Sequence, residues 1–321
     1  MIPVAVIGVG YLGRFHAQKY AQIEDVELVG VVDTNRQRAE AVSQELGTRA
    51  YTELDQVIDK IQAASIVVPT VDHFQVTRPL IEKGIHCLVE KPITATLEQA
   101  DTLIKLAREK GVVLQVGHLE RFNPAVKVLT SQVTTPLFIE AHRLSPFKPR
   151  AIDVDVILDL MIHDLDITLS LVKSPVKEIR AAGVPVLTPK VDIANARLIF
   201  ESGCTANLTA SRISLQTMRR IRVFQPGGYL SADCAEKTSL TVKRPPGLTE
   251  TKDPMAGLMP ELRRHGEVDI LKDEIISFVL AIKQGKEPVV TGEDGRQALR
   301  LAFEIKAQIQ ANLDAFGKKL L

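Results

Sequence analysis

The stretch IPVAVIGVGYLG, residues 2–13, decides the fold of the first part of the chain. Its apolar, β-branched run 2–7 ends at a glycine, which is typical of a buried parallel strand. Gly8, Gly10 and Gly13 then follow the G-x-G-x-x-G pattern, which combines a tight turn, room for a pyrophosphate and close helix–strand packing. N–H groups at the start of the next helix face such an anion. The stretch predicts a dinucleotide-binding turn, with a glycine turn that binds nothing as the alternative.

The hundred residues after this turn alternate between strand and helix patterns. Buried strands are predicted at Val26–Val32, Ala64–Val68, Ile85–Val89 and Val112–Val116, with helical segments and short links between them. This alternation predicts a doubly wound parallel sheet, a Rossmann fold.

An acidic residue stands where such a fold binds the adenosine ribose. Asp33 lies 20 positions after Gly13, at the end of the second predicted strand. Its carboxylate can bind both ribose hydroxyls and repels a 2′-phosphate, which favours NAD over NADP. Arg36 and Arg38 follow closely and can soften that preference, although a solvated helix start explains each of them as well.

After residue 122 the pattern changes to successive strands. They are predicted at Leu137–Arg143, Glu178–Val184, Ala194–Glu201, Cys204–Arg212 and Arg219–Phe224. Helices are predicted from about 156 to 172, from about 267 to 283 and from near Thr291. We therefore expect a Rossmann domain at 1–120 and an α+β domain at 121–321 with a large open, mainly antiparallel sheet. The C-terminal helix, 292–312, is free to pack back on the first domain.

Composition excludes several classes of protein. The 321 residues carry a formal net charge of +1, and aromatic residues are 4% with no Trp, which disfavours a nucleic-acid binder. No apolar run reaches the length of about 18 residues that a transmembrane helix needs. The N-terminus lacks the pattern of a signal peptide. We therefore expect a cytoplasmic protein that engages neither nucleic acid nor membrane.

The segment Glu90-Lys91-Pro92 follows a predicted strand directly. Ligands bind at the carboxyl ends of the strands in a doubly wound sheet, so Lys91 is expected where a nicotinamide would lie. Its ammonium can stabilise negative charge on a substrate oxygen. The alternative is an ordinary surface lysine.

A second pair of chemical groups is Asp159 and His163. At a spacing of four they lie on one face of a helix, and the carboxylate can fix the tautomer of a histidine that acts as a general base. A capped, salt-bridged helix is the alternative. A zinc site is disfavoured because no second histidine lies nearby in the sequence, and we expect no metal.

Taken in order, these three motifs resemble the glucose–fructose oxidoreductase/inositol dehydrogenase/MocA-type (Gfo/Idh/MocA) family. The resemblance covers essentially the whole chain and implies NAD-dependent hydride transfer with a sugar carbinol. It implies Lys91 and His163 as the catalytic pair and Asp159 as their polar partner. The cofactor-binding residues that it implies are Gly8, Gly10, Tyr11, Leu12, Gly13, Asp33, Thr34, Arg38, Pro69, Thr70, His73, Glu90 and Lys91.

Further segments resemble one bacterial branch of this family, whose members oxidise the 3-hydroxyl of UDP-N-acetylglucosamine for lipid A synthesis. These segments are 117–124, 142–147 and the Asp-Val-Asp-Val run at 153–156. The predicted substrate contacts are His118, Arg121, Arg143 and Arg150, with Lys148 nearby. A dehydrogenase of a free sugar or inositol and a non-catalytic NAD-binding regulator stay as alternatives. The family resemblance also implies a homodimer or homotetramer formed through the second sheet.

Overall fold

The computed structural model describes residues 1–148, 154–244 and 259–320. Two residues named above lie outside this part of the chain: Arg150, a predicted substrate contact, and Asp153, the first residue of the Asp-Val-Asp-Val run. The strands are β1 (Ile2–Ile7), β2 (Val26–Val32), β3 (Arg49–Tyr51), β4 (Ala63–Ile66), β5 (His86–Glu90), β6 (Leu114–Gly117), β7 (Phe138–Leu144), β8 (Val176–Val184), β9 (Ile193–Phe200), β10 (Thr205–Ser211), β11 (Met218–Gln225), β12 (Gly228–Asp233), β13 (Thr238–Lys243) and β14 (Met259–Arg264).

The α-helices of the described residues occur in both halves of the chain. They are α1 (Tyr11–Tyr20), α2 (Arg36–Leu46), α3 (His73–Glu82), α4 (Leu97–Lys110), α5 (Pro124–Gln132), α6 (Ile162–Val172), α7 (Ile270–Gln284) and α8 (Gly292–Leu320). A π-helical turn, Ile157–Met161, leads directly into α6. Two 3₁₀ turns, Leu54–Gln56 and Ile58–Lys60, stand between β3 and β4.

The first compact unit comprises residues 1–119 and 269–299. Among the described residues its sheet has six strands in the order β3-β2-β1-β4-β5-β6, and every pair is parallel. This is the strand order of the predicted Rossmann fold. The buried core of the unit joins β1 to α1 and α7 through Val4, Ala17 and Phe278.

The second compact unit comprises residues 120–268 and 300–321. Its described residues form an eight-stranded sheet in the order β14-β13-β12-β11-β7-β10-β9-β8. Only the β7–β10 pair within it is parallel, so the sheet is mainly antiparallel, as predicted. The C-terminal part of α8 contributes Leu301, Ile305 and Ile309 to the core of this unit.

A single division of the chain at residue 120 is therefore too simple. Helix α7 and the first residues of α8 belong to the first unit, whereas the rest of α8 belongs to the second. The buried face of α7, with Leu271, Ile275 and Phe278, packs in the core of the Rossmann unit. The predicted start of α8 is confirmed, because Asp294 accepts the Thr291 N–H at 2.9 Å and donates its own N–H to the Thr291 hydroxyl.

Candidate cofactor and catalytic site

The glycine turn after β1 is built for close backbone contact. A Cβ on Gly13 would lie 1.8 Å from the Gly8 carbonyl oxygen, so only glycine lets α1 start against the turn. Gly8 has φ +85°, and a Cβ there would meet the backbone of Val67 at 2.8 Å. A Cβ on Gly10, in contrast, would meet no described atom within 4 Å. The backbone at Gly10 therefore faces open space that a pyrophosphate can enter.

The first turn of α1 suits an anion. Within the described residues, no side chain caps its N–H groups at Gly10, and no acidic residue lies in that turn. Free N–H groups and the helix dipole both favour a phosphate at such an end. Tyr11 is 79% exposed and Leu12 is partly exposed beside this opening. These residues fit the pyrophosphate of a dinucleotide.

Asp33 lies at the carboxyl end of β2 and is held by backbone donors. Its Oδ2 accepts the N–H of Val9 at 3.0 Å, and its Oδ1 accepts the N–H of Asn35 at 2.8 Å. Arg38 reaches Oδ2 at 3.2 Å with a half-exposed side chain. Next to it, a groove of about 550 Å³ is lined by residues that include Val9, Gly10, Tyr11, Phe15 and Arg38. Thr34 is exposed at the same edge. This geometry fits an adenosine ribose on Asp33.

The loop after β4 carries Pro69, Thr70 and His73. Pro69 is exposed and Thr70 half-buried, whereas His73 is 1% exposed. The ring nitrogens of His73 lie 2.8 Å from the Pro92 carbonyl oxygen and 3.0 Å from that of Val68. Burial lowers the pKa of His73 despite these carbonyl partners. His73 thus ties the loop after β4 to the loop after β5, and its contact with a cofactor stays a prediction.

Lys91 follows β5 at the carboxyl edge of the Rossmann sheet and is half-buried. Its N–H donates to Oε2 of Glu90 at 3.2 Å, and the Lys91–Pro92 peptide bond is cis. The Glu90 side chain points into the protein and accepts a hydrogen bond from His16, 3.1 Å away. Lys91 therefore lies at the carboxyl edge of the Rossmann sheet, whereas the Glu90 carboxylate is buried. Contact of either residue with a cofactor stays a prediction.

Asp159 and His163 belong to the second unit. Asp159 is in the π-helical turn and His163 in the first turn of α6, and both side chains are half-buried. π-helical turns inside helices are frequent at functional sites. The next acidic residues on this helix, Asp164 and Asp166, are instead fully engaged in the core. The helix predicted from about 156 to 172 is confirmed, apart from its π-helical start.

Arg143 makes buried ion pairs. Its guanidinium, 3% exposed, donates to both oxygens of Asp164 at 2.8 and 3.0 Å and to Glu120 at 2.8 Å. Burial raises the pKa of Asp164, whereas the charge and hydrogen bond of Arg143 hold the pKa of buried Glu120 below its usual value. Sequence reasoning missed this role because neither carboxylate is adjacent to Arg143 in the sequence.

The other predicted substrate residues differ in how buried they are and in what they bond. Arg121 forms a two-pronged pair with buried Asp166 at 2.6 and 2.9 Å. His118, at the end of the first unit, is 1% exposed, and Lys148 is exposed. Contacts of these residues with a substrate stay predictions. Within residues 1–148, 154–244 and 259–320, no group of three or more His, Cys, Asp or Glu side chains is arranged to hold a metal ion.

Comparison with known proteins agrees with this architecture. A model of an oxidoreductase family with an NAD-binding Rossmann fold matches residues 2–118, and a model of the GFO/IDH/MocA C-terminal domain matches residues 130–231. The chain belongs to the GFO/IDH/MocA oxidoreductase family. The predicted resemblance is thereby confirmed, and so are the enzyme class and the NAD cofactor.

Individual members of the family match the chain along nearly its whole length. It is 42% identical to the UDP-N-acetylglucosamine 3-dehydrogenase of Acidithiobacillus ferrooxidans, over 96% of this chain and 97% of that protein. A solved structure of that enzyme has a TM-score of 0.89 at 40% identity, covering 97% of this chain and 98% of the other. The chain is also 26% identical to a myo-inositol 2-dehydrogenase of Thermotoga maritima over 96% of both proteins. No described helix of the chain is long and apolar enough to cross a membrane.

Proposed function

We propose that this protein oxidises the 3-hydroxyl of UDP-N-acetylglucosamine to a ketone with NAD as the hydride acceptor. The observation that carries the substrate is the similarity to a UDP-N-acetylglucosamine 3-dehydrogenase, which extends along almost the whole of both chains. Because the match includes the second unit, it concerns more than the nucleotide-binding fold. The inositol dehydrogenase that also matches makes inositol oxidation the second candidate.

In this proposal the first unit binds the cofactor. The backbone at Gly10 and the start of α1 hold the pyrophosphate, and Asp33 accepts hydrogen bonds from the adenosine ribose. Bound NAD supplies the acceptor for a hydride that leaves the carbinol carbon. Arg38 lies beside Asp33, and its guanidinium is the group that would bind the 2′-phosphate if NADP were used in place of NAD.

Two side chains act on the substrate hydroxyl group. Lys91 donates a hydrogen bond to it and stabilises the negative charge that develops while the hydride leaves. His163 accepts the hydroxyl proton, so the two bonding electrons of the O–H bond stay on oxygen to form the carbonyl. Asp159, one turn earlier, fixes the orientation and tautomer of the His163 ring.

For the UDP diphosphate we propose the basic residues of the segment 143–150, with Lys148 and Arg150 as the contacts. Arg143 and Arg121 support the pocket from the core, since their described hydrogen bonds go to buried carboxylates. Arginine and lysine donors suit a diphosphate because charge-assisted hydrogen bonds are stronger than neutral ones. His118 is a further proposed substrate contact.

The deciding experiment is a screen of NAD reduction by UDP-N-acetylglucosamine, UDP-glucose, myo-inositol and glucose. We expect the highest kcat/KM for UDP-N-acetylglucosamine and a product lighter by two hydrogen atoms in mass spectrometry. Faster oxidation of myo-inositol would favour the second candidate. Binding of NAD without oxidation of any of these compounds would contradict the proposal and point to a regulatory protein.

The catalytic roles are tested by Lys91→Ala and His163→Ala. Each variant should bind NAD as the wild type does and turn over about 10²-fold more slowly, because each removes a group that acts on the reacting oxygen. Lys110→Ala, at the exposed end of α4, is the matched control. Wild-type kcat in either catalytic variant would rule out the role assigned to that residue.

The product and the setting of the enzyme follow from the same proposal. A sugar 3-ketone is ready for transamination, the step that lipid A synthesis would require next. We place the enzyme in the cytoplasm as a homodimer or homotetramer associated through the second sheet. Light scattering after size exclusion tests the assembly, and a monomer at micromolar concentration would contradict it.

A further inference from the structure

A buried polar cluster lies beneath the end of β5 in the Rossmann unit, and the steps proposed above do not use it. Its members are His16 and Tyr20 on α1, Ser65 on β4, Glu90 on β5 and Glu274 on α7. All are fully buried except Glu90, which is 9% exposed. Carboxylates are almost never buried so completely unless they are paired, so this cluster needs an explanation.

Hydrogen bonds in the cluster run in one direction and end at Glu90. The Tyr20 hydroxyl lies 2.8 Å from the Ser65 hydroxyl, which lies 3.2 Å from Nδ1 of His16. His16 Nε2 lies 3.1 Å from Oε1 of Glu90. Burial raises the pKa of Tyr20, so its phenol keeps its proton and donates. One assignment of protons then accounts for the three contacts that link Tyr20, Ser65, His16 and Glu90, with Nε2–H of His16 donating to the Glu90 carboxylate.

The Glu90 carboxylate is also fixed from two other sides. Its Oε2 accepts the Lys91 N–H at 3.2 Å, and a Cβ on Gly117 would lie 2.9 Å from its carboxyl carbon. The absence of a side chain at Gly117 thus makes room for the carboxylate. Burial opposes ionisation of Glu90, but the hydrogen bond of His16 and the charge of Lys91 hold its pKa below the usual value. Glu90 is therefore ionised at neutral pH.

The second buried carboxyl group, that of Glu274, is protonated, whereas that of Glu90 is ionised. Burial, and then the charge of Glu90, raise the pKa of Glu274 well above its usual value. Glu274 therefore keeps its proton, and its backbone oxygen accepts a hydrogen bond from the Gln115 amide at 3.2 Å. The cluster thus holds one negative charge, and that charge is on the residue that precedes Lys91.

We propose that Glu90 is a positioning residue for the reaction proposed above: its buried carboxylate fixes the Lys91 backbone and keeps the Lys91 ammonium charged. The titratable groups that face Glu90 are His16, Lys91, Glu274 and His73. Opposite charges on neighbouring residues raise the pKa of the cation as they lower that of the acid, and the charge of Lys91 is one of the causes that lower the pKa of Glu90. A charged Lys91 is the form that can hold the substrate oxygen, so this inference rests on the proposed function.

The test compares Glu90→Gln with Glu274→Gln, two nearly isosteric changes at neighbouring buried carboxyls. Only the first removes a charge. In Glu90→Gln the alkaline limb of the kcat/KM profile and the pKa of Lys91 should both fall by about one pH unit. In Glu274→Gln neither should move, because an amide replaces an acid that is already neutral. Lys91 is titrated by NMR after reductive ¹³C-methylation, with Lys91→Arg used to assign its signal.

An unchanged Lys91 pKa in Glu90→Gln, or an equal fall in both variants, would overturn the proposal. If Glu90→Gln does not fold, Glu90→Asp replaces it. This variant keeps the charge, so the Lys91 pKa should stay near the wild-type value, while kcat falls because the bond to the Lys91 N–H is lost. A large fall of that pKa, or a wild-type kcat, would refute the idea. The NMR titration needs no turnover, so it decides this inference even if the protein oxidises none of the sugars tested.

Discussion

Replacing Arg143 with methionine is expected to lower the free energy of unfolding of the second unit by about 3–5 kcal/mol at neutral pH. The guanidinium is 3% exposed and bonds two carboxylates, those of Glu120 and Asp164, at 2.8 to 3.0 Å. Methionine preserves much of the apolar stem but supplies neither a charge nor a donor. Both carboxylates would then lose their main partner while remaining buried, which is the costly case for an ion pair.

The matched control is Arg222→Met on the neighbouring strand β11. Arg222 pairs with Glu140 at 2.6 Å, but the two side chains are 37% and 28% exposed. Water screens this pair, and exposed ion pairs contribute only about 0–1 kcal/mol. The same change of residue type should therefore have a much smaller effect on stability.

The loss caused by Arg143→Met should also depend on pH. Burial already raises the pKa of Asp164 in the wild type, and the guanidinium opposes this rise. Without Arg143, the pKa of Asp164 and that of Glu120 should both lie above their unfolded values. The folded variant then binds more protons than the unfolded chain, so its stability falls as pH rises. We expect a smaller deficit at about pH 5 than at about pH 8.

Urea denaturation followed by circular dichroism measures the deficit, and amide exchange in β7 and α6 assigns it to the second unit. The local probe is needed because a chain with two compact units need not unfold in one step. The reasoning would be refuted if Arg143→Met were as stable as Arg222→Met. If Arg143→Met were as stable as Arg222→Met and had a raised KM for UDP-N-acetylglucosamine, a direct substrate contact of Arg143 would be favoured over the buried ion pairs.

Three further predictions concern the cofactor turn and one loop. Gly10→Ala should leave the melting temperature unchanged but weaken NAD binding about tenfold, as measured by calorimetry. Gly13→Ala should also lower the melting temperature, because its Cβ would clash with the Gly8 carbonyl oxygen. Equal melting temperatures of the two variants would contradict the clash. Asp33→Ser should raise kcat/KM with NADP relative to NAD, since Arg38 remains beside the site, and an unchanged ratio would speak against the ribose contact. Despite burial, hydrogen bonds from residues 186–188 hold the pKa of Asp192 at about 2, so Asp192→Asn should lose about 2 kcal/mol at pH 7. Urea titrations should show that difference narrowing as pH falls from about 4 to 2, and a pH-independent difference would contradict the assignment.

The elements of the Rossmann unit were largely predictable from the sequence. The predicted bounds of β2, Val26–Val32, agree with the structure because the apolar run and the Asp33 that follows it mark the strand locally. The strands β12 to β14 and the helix α5 were missed. In the described structure they depend on pairing within the large sheet and on packing against it, and their own sequence patterns are short and polar.

By itself, the sequence determined the fold class, the dinucleotide turn and the position of Lys91 at a strand end, because each depends on neighbouring residues. Only the tertiary structure decided what the buried charges do. His16 and Glu90 are 74 positions apart, and Arg143 lies 21 positions from Asp164. The sequence predicts Glu90 as a cofactor contact and Arg143 as a substrate contact, and only the fold shows that both side chains bond buried partners from other elements. Whether a charged group faces a ligand or the core depends on long-range packing and on the desolvation that packing imposes, and local patterns do not encode either.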